Sequence, residues 1–282
     1  MKRILVIGAT GRVGRQVVSQ LLDKDVKVRT LTRNPNAANL PPEVEIVRGD
    51  LSAPALLDEN LFKVDAAFFV WTAPPDTARS AVGRIAKNAR RIVFLSSPHR
   101  TPHPLFQQPN PMAVLQAEIE RLIEASGLLW TFLRPGMFAA NALSWWAPQI
   151  HAGNVVRWPY GKAPTAPIHE QDIAAVAAHA LLTEGHDGAE YVLTGPHSLT
   201  QIEQVETIAE VIARPLSFEE LSPEEARREI GAPASVVNML LNAWAAAIGQ
   251  PALVTTTVAE ITGRPARTFR DWVKDHAEEF RS

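Results

Sequence analysis

The sequence predicts an α/β fold built on a doubly wound parallel sheet. Over the first half of the chain, short apolar, β-branched segments alternate with longer segments whose apolar residues recur at helical spacing. Several of the short segments are apolar at consecutive positions, as strands of a parallel sheet are when helices cover both faces. Because parallel strands need crossover connections, this alternation predicts a sheet with helices on both sides.

The predicted elements follow one another in β-α order up to the sixth strand. The strands are predicted at Arg3–Ile7, Val26–Thr32, Val44–Val47, Ala66–Val70, Ile92–Leu95 and Leu129–Leu133. The helices between them are predicted at Arg12–Leu22, Pro54–Leu61, Asp76–Asn88 and Met112–Ser126. This order places each helix where it can cross from one strand to the next.

The pattern changes after about residue 150. Residues Gly153–Pro167 are rich in Pro, Gly and Trp and are predicted to form a long loop. A segment with a helical apolar pattern, Glu170–Leu182, and a short strand at Glu190–Leu193 follow. Asp172 is predicted to cap the helix at Ile173–Leu182.

Three later helices are marked by a hydroxyl residue with an acid three positions on, the pattern of the capping box. These pairs are Thr200 with Glu203, Ser222 with Glu225, and Thr268 with Asp271. We therefore predict two domains: residues 1–150, completed by parts of 165–195, and residues 196–282, a smaller and mostly helical domain.

The composition excludes several classes of protein. The 282 residues include 28 Lys plus Arg and 30 Asp plus Glu, so charge gives no reason to expect nucleic acid or an anionic membrane as partner. The absence of cysteine excludes disulfides and thiolate sites, and no metal site is predicted. No segment approaches the ~20 apolar residues of a membrane span. We expect a cytoplasmic monomer or homodimer that acts on a small molecule.

A glycine-rich segment, Gly8-Ala-Thr-Gly-Arg-Val-Gly14, follows the first predicted strand and opens the first predicted helix. Glycines let the backbone turn and approach a pyrophosphate, and the helix N-terminus offers unpaired N–H groups to the anion. A tight turn without a ligand is the alternative, but the position between strand and helix favours a binding loop. We predict dinucleotide binding by Gly8, Thr10, Gly11, Arg12 and Val13.

The end of the second strand decides which dinucleotide fits. An acid there binds the ribose hydroxyls of NAD, whereas an arginine accommodates the 2′-phosphate of NADP. Here the strand Val26–Thr32 runs into Arg33, and the next acid along the chain is Glu43. Arg12 offers a second guanidinium for a bidentate phosphate contact. We predict NADP(H) as the cofactor, with NAD(H) as the alternative if Arg33 is only a surface residue.

Further motifs carry a family resemblance. Together with the glycine loop and Arg33, the residues Gly49-Asp50, Ser96-Ser97 and Ser126–Phe138 resemble the NmrA-like branch of atypical short-chain dehydrogenases/reductases. The resemblance continues through Pro167–Ile173, Tyr191–Gly195 and Thr262–Phe269, and so covers nearly the whole chain. It implies a Rossmann domain that binds NAD(P)(H) and a smaller C-terminal domain over the nicotinamide end.

The resemblance also implies residue roles. Asp50 and Leu51 would contact the adenine, and the segment after the fourth strand would line the ribose and diphosphate with Thr72, Ala73 and Pro74. The nicotinamide would be bordered by Pro135, Gly136 and Phe138. The family includes reductases of quinones, dyes and isoflavone-like compounds, enzymes of ergot alkaloid routes, and regulators that bind the dinucleotide without turnover.

The chain departs from the usual short-chain reductase in its proton donor. That donor is a Tyr activated by a Lys four residues later, and neither Tyr160 nor Tyr191 has such a Lys. Met112 and Gln116 stand where the pair would fall. Without this acid, reduction of simple ketones is disfavoured. Acceptors such as quinones, flavins, azo dyes or iminium ions remain, since they can take a proton from water afterwards.

Other side chains are candidates for contacts with the substrate. Ser96 and Ser97 follow the fifth strand, at the edge where ligands of open α/β sheets bind. We predict Ser96 as a cofactor contact and Ser97 as a proton donor; a turn or cap role is the alternative. Tyr160 is the second donor candidate, or a packing residue. His99, in the following Pro-rich loop, can titrate near neutral pH or can simply be solvated.

Aromatic residues flank the region after the sixth strand. Trp145, Trp146 and Phe138 fit either an apolar pocket for a flat aromatic substrate or plain core packing. The leading hypothesis is an NADPH-dependent oxidoreductase that transfers hydride to a small aromatic or conjugated acceptor of the quinone, dye, flavin or imine type. The alternative is a non-catalytic NADP(H)-binding regulator that senses the redox state.

Overall fold

The computed structural model describes residues 1–54 and 57–281. Within this part of the chain the strands are β1 (Lys2–Ile7), β2 (Val26–Thr32), β3 (Glu45–Arg48), β4 (Ala66–Phe69), β5 (Arg91–Leu95), β6 (Leu129–Pro135), β7 (Val155–Pro159), β8 (Pro164–Thr165), β9 (Ala189–Leu193), β10 (Leu199–Thr200) and β11 (Ser217–Leu221).

The helices of the same residues complete the element order. They are α1 (Arg12–Leu22), α2 (Asp58–Leu61), α3 (Ala78–Asn88), α4 (Pro111–Glu124), α5 (Asn141–Trp145), α6 (Ala147–Ala152), α7 (Glu170–Leu182), α8 (Gln201–Ile212), α9 (Pro223–Glu229), α10 (Ala234–Ala247), α11 (Thr257–Thr262), α12 (Phe269–Asp275) and α13 (Glu278–Arg281).

The main sheet has the strand order β3-β2-β1-β4-β5-β6-β9 in the described residues. Every neighbouring pair in it is parallel. The strand order reverses between β1 and β4, which opens a crevice at the carboxyl ends of these strands. The prediction of an α/β, Rossmann-type doubly wound sheet is confirmed.

Helices cover the sheet on both faces because successive strand residues point to opposite sides. Ile4 and Val6 of β1 pack on the face covered by α1 and α7, whereas Leu5 and Ile7 pack on the face covered by α3 and α4. All four side chains are buried. Burial on both sides explains why the strands are apolar at consecutive positions.

A third core lies beneath the C-terminal helices. It contains the buried tryptophans Trp146, Trp158, Trp244 and Trp272. Its members come from α5, α6 and β7 as well as from α8, α9, α10, α12 and α13. The region is mostly helical, as predicted, and the division of the chain into residues 1–150, completed by parts of 165–195, and residues 196–282 stays a prediction.

The prediction of one long loop at Gly153–Pro167 is wrong. The segment contains β7, which pairs in parallel with β11, and β8, which pairs with β10. Both partners follow much later in the chain, so no local pattern reveals them. The predicted helix Pro54–Leu61 falls partly outside the described residues, and α2 covers its last four.

The helix caps were predicted correctly in three cases and wrongly in one. The capping boxes at Thr200, Ser222 and Thr268 are all formed. Asp172 does not cap α7; the cap is His169, whose ring accepts from the N–H of Gln171. Asp172 instead accepts the N–H of Arg267 at 2.7 Å and pairs with its guanidinium, which ties α7 to the C-terminal segment.

In the part of the chain described, every helix is too short or too polar to traverse a lipid bilayer. Over the same residues, no three His, Asp or Glu side chains converge in a way that would hold a metal ion.

Candidate functional site

The first half of the candidate site is the glycine loop between β1 and α1. Gly8 has a φ of +89°, which favours glycine, and its carbonyl accepts the N–H of Gly11 at 3.0 Å. A Cβ on Gly14 would lie 2.1 Å from that same carbonyl oxygen. The missing side chain therefore lets α1 start directly against the loop. The helix N-terminus borders a cavity of about 290 Å³ lined by Gly8, Gly11, Arg12, Val13, Phe138 and Glu170 among others.

The second half of the site is a cavity of about 300 Å³ at the carboxyl ends of β5 and β6. Five residues predicted from the sequence line it together: Ser96, Ser97, Pro135, Gly136 and Phe138. Met112 and Gln116, which replace the usual Tyr and Lys, line it as well. Phe138 and Asn141 line both cavities, so the two halves adjoin.

The paired cavities suit an extended dinucleotide. The glycine loop is a cradle without Cβ atoms, and the start of α1 offers N–H groups to a pyrophosphate. At the other end, Ser96 Oγ is buried and has no hydrogen-bond partner among the described residues. A buried hydroxyl of this kind needs a polar partner, and a bound ligand can supply one. The residues present therefore fit a nicotinamide dinucleotide.

The remaining predicted cofactor contacts lie along the same edge of the sheet. Asp50 follows β3 and accepts the N–H of Ser52 at 2.8 Å, while Leu51 is buried beside it. Thr72, Ala73 and Pro74 follow β4. Thr10 lies exposed at the tip of the glycine loop. Their contacts with a cofactor stay predictions.

The two arginines predicted to select NADP lie in different surroundings. Arg33 is exposed directly after β2. Arg12 is exposed at the start of α1, and its Nη1 lies 3.8 Å from a carboxylate oxygen of Glu279 in α13. The sequence did not predict this link between the glycine loop and the C-terminus.

Arg33→Ala should reduce NADPH affinity by about 10- to 150-fold. The reason is the loss of a charge-assisted hydrogen bond to the 2′-phosphate, worth roughly 1.5–3 kcal/mol. NADH lacks that phosphate and serves as the internal control, so its affinity should hardly change. Titration of both nucleotides by fluorescence checks this; equal losses for both would mean that Arg33 does not read the 2′-phosphate.

The two predicted proton donors lie apart. Ser97 lines the second cavity, whereas Tyr160 has a left-handed φ of 55° and packs against the C-terminal core. Trp146 and Trp158 are buried in that same core, and Trp145 packs against it. For these tryptophans the structure shows the core-packing alternative.

A buried charged network lies behind the second cavity. Glu120 of α4 is fully buried, and both of its oxygens accept from Arg134 of β6, at 3.0 and 2.7 Å. Arg134 also pairs with Glu190 of β9. Burial acts to lower the pKa of Arg134, but the two carboxylates outweigh it and raise the pKa. Arg134 is therefore charged, and His99 faces this network at the cavity wall.

A second buried network connects the first cavity to the C-terminus. Glu170 lines that cavity and accepts from Trp272 Nε1 at 2.9 Å and from His276 Nε2 at 2.8 Å. The other ring nitrogen of His276 lies 2.6 Å from Glu279. Burial acts to lower the pKa of His276, but its hydrogen bonds to Glu170 and Glu279 outweigh burial and raise it. Burial acts to raise the pKa of Glu170, but its hydrogen bonds to His276 and to the backbone, together with the charges of His169 and His276, outweigh burial and lower the pKa.

His276→Gln should destabilise the protein most at mildly acidic pH. The contribution of His276 is complete below its ordinary pKa of 6.5 and is lost as the pH rises through the raised value. That of Glu170 is complete above 4.5 and is lost as the pH falls through the lowered value. Between these limits we expect a loss of about 1.5–3 kcal/mol in the free energy of unfolding.

Urea unfolding at a series of pH values measures this loss, with the exposed His197→Gln as the matched control. The difference between wild type and His276→Gln should shrink above neutral pH. A difference that stays constant over the whole range would show that protonation of His276 contributes nothing.

Several residues that line the second cavity were not predicted from the sequence. Met239, Leu240 and Ala243 reach the second cavity from α10, about a hundred residues after β6. Asn141, at the junction of the cavities, is the first residue of α5, a short helix that was not predicted. The packing of α10 over the sheet edge brings Met239, Leu240 and Ala243 to the site.

Comparisons with known proteins agree with this geometry. The family model described as NAD(P)H-binding matches residues 8–184. The (4-alkanoyl-5-oxo-2,5-dihydrofuran-3-yl)methyl phosphate reductase of Streptomyces griseus is 41% identical over 98% of this chain and 99% of its own length. The NAD(P)H azoreductase of Xenophilus azovorans is 33% identical over 98% of this chain and 99% of its own.

Solved structures share the fold. The NADPH-dependent quinone oxidoreductase of Escherichia coli, crystallised with NADPH, matches 96% of this chain and 99% of its own with a TM-score of 0.81 and 22% identity. A likeness at this identity concerns the fold alone.

Proposed function

Because the chain belongs to the NAD(P)H-binding, NmrA-like branch of atypical short-chain dehydrogenases/reductases, we propose that it is an NADPH-dependent reductase of a small conjugated acceptor. The observation that carries this proposal is the shared wall of the two cavities. Phe138 and Asn141 line both, so a ligand held at the glycine loop extends to the place where a second molecule fits. A binding protein without turnover needs no second cavity at that end.

The chain's own residues bind and orient the reactants. The glycine loop and the start of α1 hold the pyrophosphate, and Pro135, Gly136 and Phe138 border the nicotinamide end. When bound, the reduced nicotinamide supplies the hydride. Leu240 and Ala243 of α10 close the second cavity on its outer side and limit the access of water to the acceptor.

The lining of the second cavity supports a conjugated acceptor with a largely apolar surface. No Lys, Arg, Asp or Glu is among the residues described as lining it, and much of the wall is apolar. The sequence offers no Tyr and Lys pair, so the acceptor must be electron-poor enough to accept hydride without that acid. The relatives' names support this class, since a 5-oxo-2,5-dihydrofuran and an azo dye both contain conjugated multiple bonds.

Loss of NADPH absorbance with a panel of acceptors tests the proposed function. The panel contains quinones, azo dyes, flavins, imines, unsaturated lactones and, as the comparison, simple ketones. We expect oxidation of NADPH with at least one conjugated acceptor and little with the ketones. If NADPH binds but no acceptor is reduced, the protein is a dinucleotide-binding regulator.

Tyr160→Phe should reduce turnover only modestly. Tyr160 packs against the C-terminal core and is absent from the described lining of both cavities, so its hydroxyl is not placed to protonate the acceptor. Removal of a true general acid lowers kcat by ~10²–10⁴-fold. Steady-state kinetics with the best acceptor of the panel decides between the two results; a collapse of kcat with intact NADPH binding would make Tyr160 the acid.

A further inference from the structure

A polar cluster in the wall of the second cavity combines groups that move protons. Ser97 and His99 line the cavity just after β5, and Glu120 lies behind His99 on α4. Glu120 is fully buried, while the side chain of His99 keeps 12% of its surface exposed. The cluster therefore runs from a buried carboxylate, through an imidazole, to a hydroxyl at the cavity surface.

Both ring nitrogens of His99 face hydrogen-bond acceptors. Nδ1 lies 3.0 Å from the carbonyl oxygen of Ser97 and 3.5 Å from the Oγ of the same residue. Nε2 lies 3.4 Å from Oε2 of Glu120 and is buried without a formed hydrogen bond. A carbonyl and a carboxylate can only accept, so the doubly protonated ring satisfies both contacts, whereas a neutral ring satisfies one.

The carboxylate of Glu120 is the buried negative charge that faces His99. Glu120 of α4 and Glu190 of β9 share one buried guanidinium, that of Arg134 in β6. Arg100, next to His99 in the loop, lies 3.3 Å from Glu190 but is half exposed. The buried part of the network is the Glu120 carboxylate and the Arg134 guanidinium, whereas Glu190 and Arg100 are exposed.

We propose that Ser97, His99 and Glu120 deliver the proton that the acceptor needs, an inference that rests on the proposed reductase function. A quinone or unsaturated carbonyl that accepts hydride at carbon is left with an electron pair on oxygen. The Ser97 Oγ–H bond breaks as the new O–H bond forms on the acceptor. The proton on His99 Nδ1 moves to Ser97 Oγ, and His99 then takes a proton from solvent. Glu120 touches no reactant and is a positioning residue that holds the protonated ring.

This proton relay can take the place of the missing Tyr and Lys pair. Met112 and Gln116 line the same cavity and have no proton to give at neutral pH. Ser97 and His99 reach the cavity from the neighbouring strand end instead. The hydroxyl takes the place of the tyrosine in this scheme, and the imidazole takes the place of the lysine that supports it.

Two acceptors that differ only in their need for a proton provide the sharpest test. A quinone needs one proton for each hydride, whereas a cationic iminium compound becomes a neutral amine on accepting hydride and needs none. His99→Gln and Ser97→Ala should lower kcat with the quinone by ~10²–10⁴-fold and lower kcat with the iminium compound by a much smaller factor. Ser97→Thr, which keeps the hydroxyl, should recover most of the quinone activity.

Further readouts separate proton delivery from a structural role. The dissociation constant of NADPH, measured by fluorescence, should be unchanged in His99→Gln. In ¹⁵N NMR spectra, the Nε2 signal of His99 should move in Glu120→Gln, because the carboxylate that faces this nitrogen is replaced by an amide.

Three results would overturn the inference. They are quinone turnover in His99→Gln at the wild-type rate, equal losses with both acceptors, and quinone turnover in Ser97→Ala at the wild-type rate. These results differ from a failure of the proposed reductase function, in which the wild type itself would reduce no acceptor.

Discussion

Gly14→Ala should abolish high-affinity NADPH binding and destabilise the fold. The added Cβ would lie 2.1 Å from the carbonyl oxygen of Gly8 and 2.9 Å from the Cα of Ala9, both backbone atoms that no rotamer change can move aside. The helix α1 must therefore shift away from the glycine loop. Overpacking of this kind costs about 1–3 kcal/mol in the free energy of unfolding, and the shift misplaces the N–H groups that receive the pyrophosphate.

A second helical glycine provides the matched control. Gly83 lies in α3, and a Cβ there would meet nothing within 4 Å. Gly83→Ala should leave NADPH affinity unchanged and raise stability by about 0.4–1 kcal/mol, because alanine has less backbone entropy to lose. Urea unfolding and nucleotide titration of both variants check the pair. Wild-type NADPH affinity in Gly14→Ala would refute the role assigned to the glycine loop.

Trp244→Ala should cost about 3–5 kcal/mol of stability, the usual range for a large aromatic truncated in a core. Trp244 is fully buried on α10, and its ring lies 5.5 Å from that of Trp145 and 5.7 Å from that of Trp158. Because the same helix carries Leu240 and Ala243 into the second cavity, the loosened helix should also raise the KM of the acceptor. NADPH affinity should change little, since α10 does not line the first cavity in the described residues.

The control for this variant lies on the same helix. Val236 is 39% exposed, and Val236→Ala should change the free energy of unfolding by about 0.5 kcal/mol or less. Thermal or urea unfolding gives the stability of both variants, and steady-state kinetics gives the KM. A loss for Trp244→Ala no larger than that for Val236→Ala would show that the aromatic cluster does not hold α10 in place.

Local patterns predicted the sheet half of the molecule well. The bounds of Arg12–Leu22, Val26–Thr32 and Glu170–Leu182 match the structure residue for residue. These elements have strong helical periodicity or a continuous apolar run, and both follow from burial of the element against its neighbours. The strands of the C-terminal region were missed because β7 and β8 are short and depend on partners that come much later in the chain.

The residues of the candidate site also differ in how well the sequence predicts them. Gly8, Gly11 and Arg12 lie within five residues at the junction of β1 and α1, so their spacing in the sequence already places them together. His99 and Glu120 are 21 positions apart, on a loop and a helix, and neither has a neighbour in the sequence that suggests a pair. His99 in particular had solvation as its alternative, yet the structure places its ring against a buried carboxylate.

By itself the sequence determined the parallel sheet, the glycine loop and the family, because each of these depends on residues close together along the chain. The tertiary structure decided what surrounds the second cavity. Leu240 and Ala243 arrive there because the C-terminal core fixes α10, and Glu120 faces His99 because α4 packs beside β6 with its carboxylate held by Arg134. Contacts of this kind follow from burial and charge pairing between distant segments, for which a single sequence contains no local pattern.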